Sequence, residues 1–238
     1  VLDIVPYIAL DKWPPEVLRT WTSRPRLWPD QDIVQQTVQL PCQLVHKPRR
    51  LPSGEVPTMN QWRLTFTFAE NFLAQHRSFS QQLIYLIAKC LFYQNLKCEL
   101  DGRQFSSYFL KTAMMWMLEE TPPEEWDKES LFRMVRRLLL RLLGHLEKRN
   151  IPYYFRPSFN LFSECSPQLL HISHNKLKDL LENLGYAFRQ IDVENALHCV
   201  CRQLYGCYKI TNQQLQEMGE DSFDLLELEA ISYHEQNN

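Results

Sequence analysis

No stretch of about 18 uncharged apolar residues occurs in the sequence, and the nearest approach, around Leu138 to Leu143, is cut by Arg141. No helix able to span a bilayer is therefore expected. Glycine is scarce, at 6 of 238 residues, and proline is dispersed, which excludes collagen-like and linker-like chains. A surplus of one charge sign is also missing, since 26 Lys and Arg face 28 Asp and Glu. Affinity for nucleic acid comes largely from cations neutralising phosphates, so phosphate contact is confined to a local patch rather than a general property of the surface. With 45% hydrophobic and 12% aromatic residues, the chain has the apolar content to bury a core, and disorder is excluded. No period of 20 to 50 residues recurs, which excludes a solenoid. The opening Val1-Leu2-Asp3-Ile4-Val5 lacks the basic start and small-residue cleavage site of a signal peptide. It reads as a strand entered midway, with part of a domain expected upstream.

What is present begins with seven cysteines, odd in number and irregular in spacing. That usage fits a reducing setting, so an intracellular location, cytoplasmic or nuclear, is expected. His198, Cys199, Cys201 and Cys207 invite a zinc reading, but Cys199 and Cys201 stand two apart in an expected helix and point to different faces. Buried free thiols are the expectation there.

Periodicity divides the chain. Leu2 to Leu10 reads as a buried strand, and Trp13 to Pro29 is too punctuated by Pro for a long regular element. Val34 to Val45 has the β-branched content of a strand, 47 to 58 reads as a loop, and Gln61 to Phe68 alternates apolar and polar residues with period two. After Ser78 the period becomes helical, with Leu83, Ile84, Ile87, Cys90 and Leu91 on one face. A second helix is expected from a Ser106 or Ser107 N-cap to about Glu119, and a third from near Asp127 to about Arg149, with Leu131, Met134, Val135, Leu138, Leu142 and Leu146 facing the core. Further helices are expected over 168–184, 193–205, 213–218 and 223–231. Strands early and helices late make an α+β chain.

Four blocks then carry a resemblance: Asp3-Ile4-Val5-Pro6 with Trp13-Pro14 behind it, Trp62-Arg63-Leu64-Thr65-Phe66, Ser107-Tyr108-Phe109-Leu110-Lys111-Thr112, and Tyr154-Phe155-Arg156-Pro157-Ser158-Phe159-Asn160-Leu161-Phe162. In order and spacing they resemble the cyclic GMP-AMP synthase and Mab-21-like proteins of the nucleotidyltransferase superfamily, over about residues 1 to 165. Trp126-Asp127 also falls where the family has it. The resemblance implies a partial nucleotidyltransferase-like mixed sheet over residues 1–70 and a Mab-21-like helical domain over 71–165; it does not cover 166–238, which periodicity and charge read as a helical extension with an acidic tail. It implies a cleft between sheet and helical lobe in which active members hold Mg²⁺ (or Mn²⁺) and a nucleoside triphosphate, the metals activating a hydroxyl for in-line displacement. Asp3 matches the third of the three metal-binding carboxylates, as catalytic and metal-ligating residue. A strand-end residue is the bland alternative. The Gly-Ser loop and the paired acids that precede it in the family are not in the sequence, so this polypeptide alone is not expected to catalyse nucleotidyl transfer. Arg63, Thr65, Thr67, Lys111 and Asn160 match positions that contact triphosphate or base, where Arg offers a fork, Lys a point charge and Thr or Asn neutral hydrogen bonds. An ordinary solvated or salt-bridged role remains open for Arg63 and Lys111. Two departures stand out. Arg141 falls where the DNA-sensing synthase has a base-stacking Tyr, and the stretch between Ala69 and Leu83 holds His76 but no Cys, so no zinc thumb is expected.

Two surface features complete the reading. Arg133, Arg136, Arg137 and Arg141 recur at i, i+3, i+4 and i+8 with no acid on their stripe, a docking strip for nucleic acid or another polyanion, or else a solvated face. The last stretch, 213 to 238, has Glu217, Glu220, Asp221, Asp224, Glu227, Glu229 and Glu235 but no Lys or Arg, interleaved with Phe223, Leu225, Leu226, Leu228 and Ile231. It suits docking to a protein partner or packing on its own domain. Two functions stay open: a nucleotide-binding protein whose intact form is a cyclic-nucleotide synthase-like enzyme, and a non-catalytic scaffold that keeps the fold.

Overall fold

A computed structural model of the chain describes residues 6–46, 62–100, 103–128 and 130–191. The fold is α+β, and the chain divides into two compact units, 1–76 and 77–238.

The first unit holds a three-stranded antiparallel sheet in the order β1-β2-β3, formed by β1 (Tyr7–Leu10), β2 (Cys42–His46) and β3 (Trp62–Thr65). Tyr7 pairs with Val45, and Gln43 pairs with Thr65. Helices α1 (Pro15–Thr22) and α2 (Gln31–Thr37) lie between β1 and β2, and α3 (Thr67–Gln75) follows β3 and packs on α2 and β2. Trp13, Trp21 and Phe66 fill this unit's core, with Trp13 edge-on to Phe66 at 4.5 Å between ring centroids, an arrangement that adds about 1 kcal/mol beyond area burial. The buried Trp13 indole N–H is satisfied by the Leu40 carbonyl at 2.8 Å.

Three expectations for this unit fail. Residues 34 to 37 are helix rather than strand, because Asp30 caps α2 by accepting from Ile33 N at 2.9 Å and Asp32 adds negative charge in the first turn. Helical spacing then places Val34 and Thr37 together in the core. In the first strand Tyr7 and Ile8 are half exposed instead of buried. Finally, β3 ends at Thr65, so Thr67 and Phe68 begin α3 rather than continue the alternation, and Trp62 is exposed. The break has a visible cause in Gln43, a buried side chain whose Oε1 accepts from Thr67 N at 3.0 Å and from the Thr65 hydroxyl at 3.3 Å. It satisfies a first-turn N–H that Phe66, at the N-cap, has no side-chain group to satisfy.

The second unit is mostly helical. Ser78 opens α4 (Phe79–Leu91) with a reciprocal capping box to Gln81, and the helix runs on into a π-helical turn, Phe92–Leu96. A two-stranded ribbon of β4 (Glu99–Leu100) and β5 (Arg103–Gln104) leads to α5 (Ser107–Glu120), capped by Ser106. Then come α6 (Glu125–Lys128) and α7 (Leu131–Glu147). The expected single helix from Asp127 is thus two, because Ser130 caps α7 afresh by accepting from Arg133 N. After a 3₁₀ turn, Leu161–Glu164, the described part closes with α8 (Pro167–Glu182) and α9 (Leu184–Arg189). Helix α7 packs against α4, α5 and α8. Of its six expected core residues, Met134, Val135, Leu138, Leu142 and Leu146 are buried, joined by Phe132 and Leu139, whereas Leu131 is only partly buried. The wider buried face follows from having three neighbours.

The C-terminus of α7 is closed by a Schellman motif. Arg149 N bonds to Leu146 O and Asn150 N to His145 O, both at 3.0 Å, with Arg149 in the left-handed region at φ 48°.

Candidate functional site

The expected ligand-contacting residues fall on both units. On β3, Arg63 and Thr65 alternate with Trp62 and Leu64 and so share one face of the sheet. Arg63 is partly exposed. Thr65 is not a free hydroxyl, since it donates to Gln43 Oε1. The Thr67 side chain sits at an exposed position in the first turn of α3, while its N–H is held by the same Gln43 oxygen.

In the second unit Lys111 is partly exposed in the second turn of α5, and Ser107, one turn earlier, meets the Tyr93 hydroxyl at 3.1 Å. Asn160 is placed quite differently from a ligand-binding amide. Its Oδ1 accepts from Ile151 N and Phe162 N, each at 3.0 Å, and its Nδ2 donates to Arg149 O at 3.0 Å. Together with the backbone bonds Tyr153 N to Phe159 O (2.8 Å) and Leu161 N to Ile151 O (2.9 Å), this side chain ties the 149–162 loop to the end of α7.

All four stripe arginines lie on α7. Arg133 and Arg137 are exposed, Arg136 and Arg141 partly buried. Acids that the stripe lacks come from neighbouring elements: Arg137 Nη1 reaches Glu125 Oε2 of α6 at 2.7 Å, and Arg141 Nη2 reaches Glu120 Oε1 at the end of α5 at 2.6 Å. Exposed pairs of this kind contribute about 0 to 1 kcal/mol each. Between them stands Leu140, 39% exposed, and a Cβ built on Gly144, one turn on, meets nothing within 4 Å.

Sequence reasoning missed His145. One turn beyond Arg141, its Nδ1 hydrogen-bonds to Asn150 O at 2.9 Å, and its buried Nε2 has no hydrogen-bond partner. Burial pushes its pKa down, with Arg141 and Lys148 acting the same way against the opposing Asn150 carbonyl and Glu120. No periodicity marks such a residue, because its environment is set by the fold of the following loop.

Asp3, His198, Cys199, Cys201, Cys207 and the acidic 213–238 stretch lie outside the described residues. Among the described residues no group of three or more His, Cys, Asp or Glu side chains is placed to hold a metal ion, so they do not by themselves build a site for Mg²⁺ or Mn²⁺. Cys42, Cys90, Cys98 and Cys165 are thiols rather than disulfides, and burial raises the pKa of Cys42. Among the described residues no helix is long and apolar enough to cross a membrane.

Comparison with known proteins matches these units in turn. Residues 1–76 fit the family model of the Mab-21 protein nucleotidyltransferase domain, and residues 79–179 fit that of the Mab-21 protein HhH/H2TH-like domain. The second match runs past the 3₁₀ turn and through most of α8. Among curated proteins, the chain is 30% identical over 146 residues to a protein named mab-21-like from Aedes aegypti, covering 60% of this chain and 39% of that protein. A mab-21-like protein from Anopheles gambiae is 31% identical, again over 60% of this chain and 39% of that protein. A cyclic GMP-AMP synthase-like receptor from Nicrophorus vespilloides is 30% identical over 124 residues, 52% of this chain and 33% of the receptor. The matched stretches thus span 39% or less of these relatives' own lengths. With both domain models matched in tandem, the chain belongs to the Mab-21 family of nucleotidyltransferase-fold proteins.

Proposed function

We propose that the intact protein binds a nucleoside triphosphate or a related anionic ligand, with Arg63 and Lys111 as the contacting cations from this stretch. The observation that carries the reading is the similarity to a relative named as a cyclic GMP-AMP synthase-like receptor. It is supported by the partial exposure of both cations on regular elements, Arg63 on β3 and Lys111 on α5. A guanidinium fork and an ammonium point charge suit phosphate oxygens.

Nucleotidyl transfer by the intact protein would add Asp3 as one metal ligand, with two further carboxylates from residues outside this chain. Divalent metal would neutralise triphosphate charge and activate the attacking hydroxyl. Arg63 and Lys111 have a different task, holding phosphate oxygens in place through charge-assisted hydrogen bonds.

A second reading, a non-catalytic scaffold, is favoured by the spent polar groups of Thr65 and Asn160, which serve the fold itself. Titration of the intact protein with ATP and GTP, with and without Mg²⁺ and double-stranded nucleic acid, separates the two. Arg63→Ala or Lys111→Ala is expected to weaken binding at least tenfold, the equivalent of losing one charge-assisted hydrogen bond of about 1.5 kcal/mol. Absence of any triphosphate binding by the wild type supports the scaffold. If product forms, Asp3→Ala is expected to abolish it, and the residues upstream of Val1 should contain a Gly-Ser loop and an acidic pair.

A further inference from the structure

The outward face of α7 carries a self-complementary pattern. Arg137, Leu140, Gly144 and Glu147 are spaced 3, 4 and 3 residues apart, and at 3.6 residues per turn they share an arc of about 80°. Arg137, Leu140 and Glu147 are exposed and Gly144 is partly so. The two central residues are not those of a merely solvated face. Leu140 presents an aliphatic side chain to water. Gly144 lies inside the helix rather than at the position after it, and Gly there is less favourable than Ala. No contact among the described residues requires that glycine, because a Cβ built on it meets nothing within 4 Å.

We propose that this face pairs with the same face of a second copy of the chain, the two α7 helices crossing antiparallel about a twofold axis at the level of Leu142. Reading the spacing backwards then sets Leu140 against the notch over the partner's Gly144, and Arg137 level with the partner's Glu147. The twofold makes each contact twice. With glycine at the crossing the helix axes can approach to about 8 Å, the low end of ordinary packing, which gives the glycine a purpose that the chain alone does not. A parallel pairing would instead set Arg137 against Arg137. Both charges are available for the contact: Arg137 gives one nitrogen to Glu125 and keeps further N–H donors, and the exposed Glu147 carboxylate meets His174 only at 3.9 Å. A polyanion would use the arginine but has no use for Leu140, Gly144 or Glu147. One helix pair is small beside the roughly 1,600 Å² of a standard interface, so the expected dimer is weak, with a Kd on the order of 10 μM.

Sedimentation velocity of the full chain over about 1 to 300 μM, a range that brackets this constant, tests the pairing. The wild type is expected to pass from monomer to dimer. Gly144→Gln favours the helix but fills the notch, so it should weaken dimerisation about tenfold or more while the melting temperature holds or rises. Arg137→Glu and Glu147→Arg each set like charges together twice, and each alone should weaken the dimer about tenfold. Mixed in equal amounts, the two are expected to form a heterodimer of near wild-type affinity, because every charged contact between them is again of opposite sign. Gly144→Gln decides the case even where Arg137→Glu, which loses its Glu125 pair, folds poorly. A wild type that stays monomeric throughout overturns the proposal. So does a dimer that Gly144→Gln leaves unchanged, or a mixture of well-folded charge variants that stays monomeric. A monomer whose sedimentation shifts only on addition of double-stranded RNA overturns it as well, and gives the face to phosphate.

Discussion

Replacing Asn160 distinguishes a structural amide from a ligand-contacting one. In Asn160→Ala the Ile151 and Phe162 N–H groups lose their acceptor and the Arg149 carbonyl its donor. Ile151 is 0% exposed and Phe162 2%, so water reaches the stranded donors poorly. Each stranded buried donor costs about 1 to 3 kcal/mol, and the pair about 3 kcal/mol in sum once partial relaxation is allowed. Such a loss is a large share of the roughly 5 to 15 kcal/mol that holds a typical domain folded. For a chain of this size it lowers the midpoint of thermal unfolding by about 6 to 12 °C. Asn160→Asp keeps the oxygen that accepts from Ile151 and Phe162 but sets a second oxygen against the Arg149 carbonyl, so its loss is expected to be smaller. Thermal unfolding by circular dichroism, with hydrogen exchange at Ile151 and Phe162, reads both variants. An Ala variant that melts within about a degree of the wild type while losing triphosphate affinity would refute the structural assignment. An Asp variant less stable than the Ala variant would refute the account of which atoms matter.

Three other outcomes are expected. Gln43→Leu keeps the volume but strands Thr67 N and the Thr65 hydroxyl, and should destabilise the first unit by about 2 kcal/mol, seen as early exchange in β3 and α3 with α7 unaffected. Arg149→Gly removes a side chain from a left-handed position and should raise stability by about 1 kcal/mol in urea unfolding; a loss would mean that the Arg149 side chain has a stabilising role of its own. The pKa of His145 is lowered in the folded state, so the stability it contributes is present above its unfolded value near 6.5 and is lost as pH falls through the lowered folded value. Protonation would add an N–H at buried Nε2 with no acceptor. The melting temperature should therefore drop on acidification below about pH 6.5, and more shallowly in His145→Asn.

The helical unit was legible because its signals are local. The helical period that begins after Ser78 marks α4, Ser106 announces α5 by capping chemistry, and the Leu and Met positions of α7 repeat at 3.6. The sheet unit was read less well. There β-branched content in Val34 to Val45 competed with the Asp30 cap, and the cap won for the first half. The end of β3 was hidden because it depends on Gln43, 24 residues earlier, whose amide defines the start of α3. For the site, residue type told where cations lie but not which polar groups are spent. Thr65 and Asn160 match ligand positions by resemblance, yet their hydrogen bonds run to Gln43 and to backbone that no local pattern reveals. The arginine stripe was visible in full, whereas Glu120 and Glu125, which belong to other elements, could be assigned to it only in three dimensions.

Gln43 has a consequence for tolerance to length change. Its contacts pin the β2–β3 ladder at the Gln43 and Thr65 pair, the end away from the chain that joins His46 to Trp62. Residues inserted or deleted in that connection need not shift the phase of the strands, because the ladder is keyed from its far end. Doubling a connection adds only about 0.6 kcal/mol of closure entropy. Relatives can thus carry connections of different length and composition between these two strands, while the start of α3 and the face bearing Arg63 stay in register.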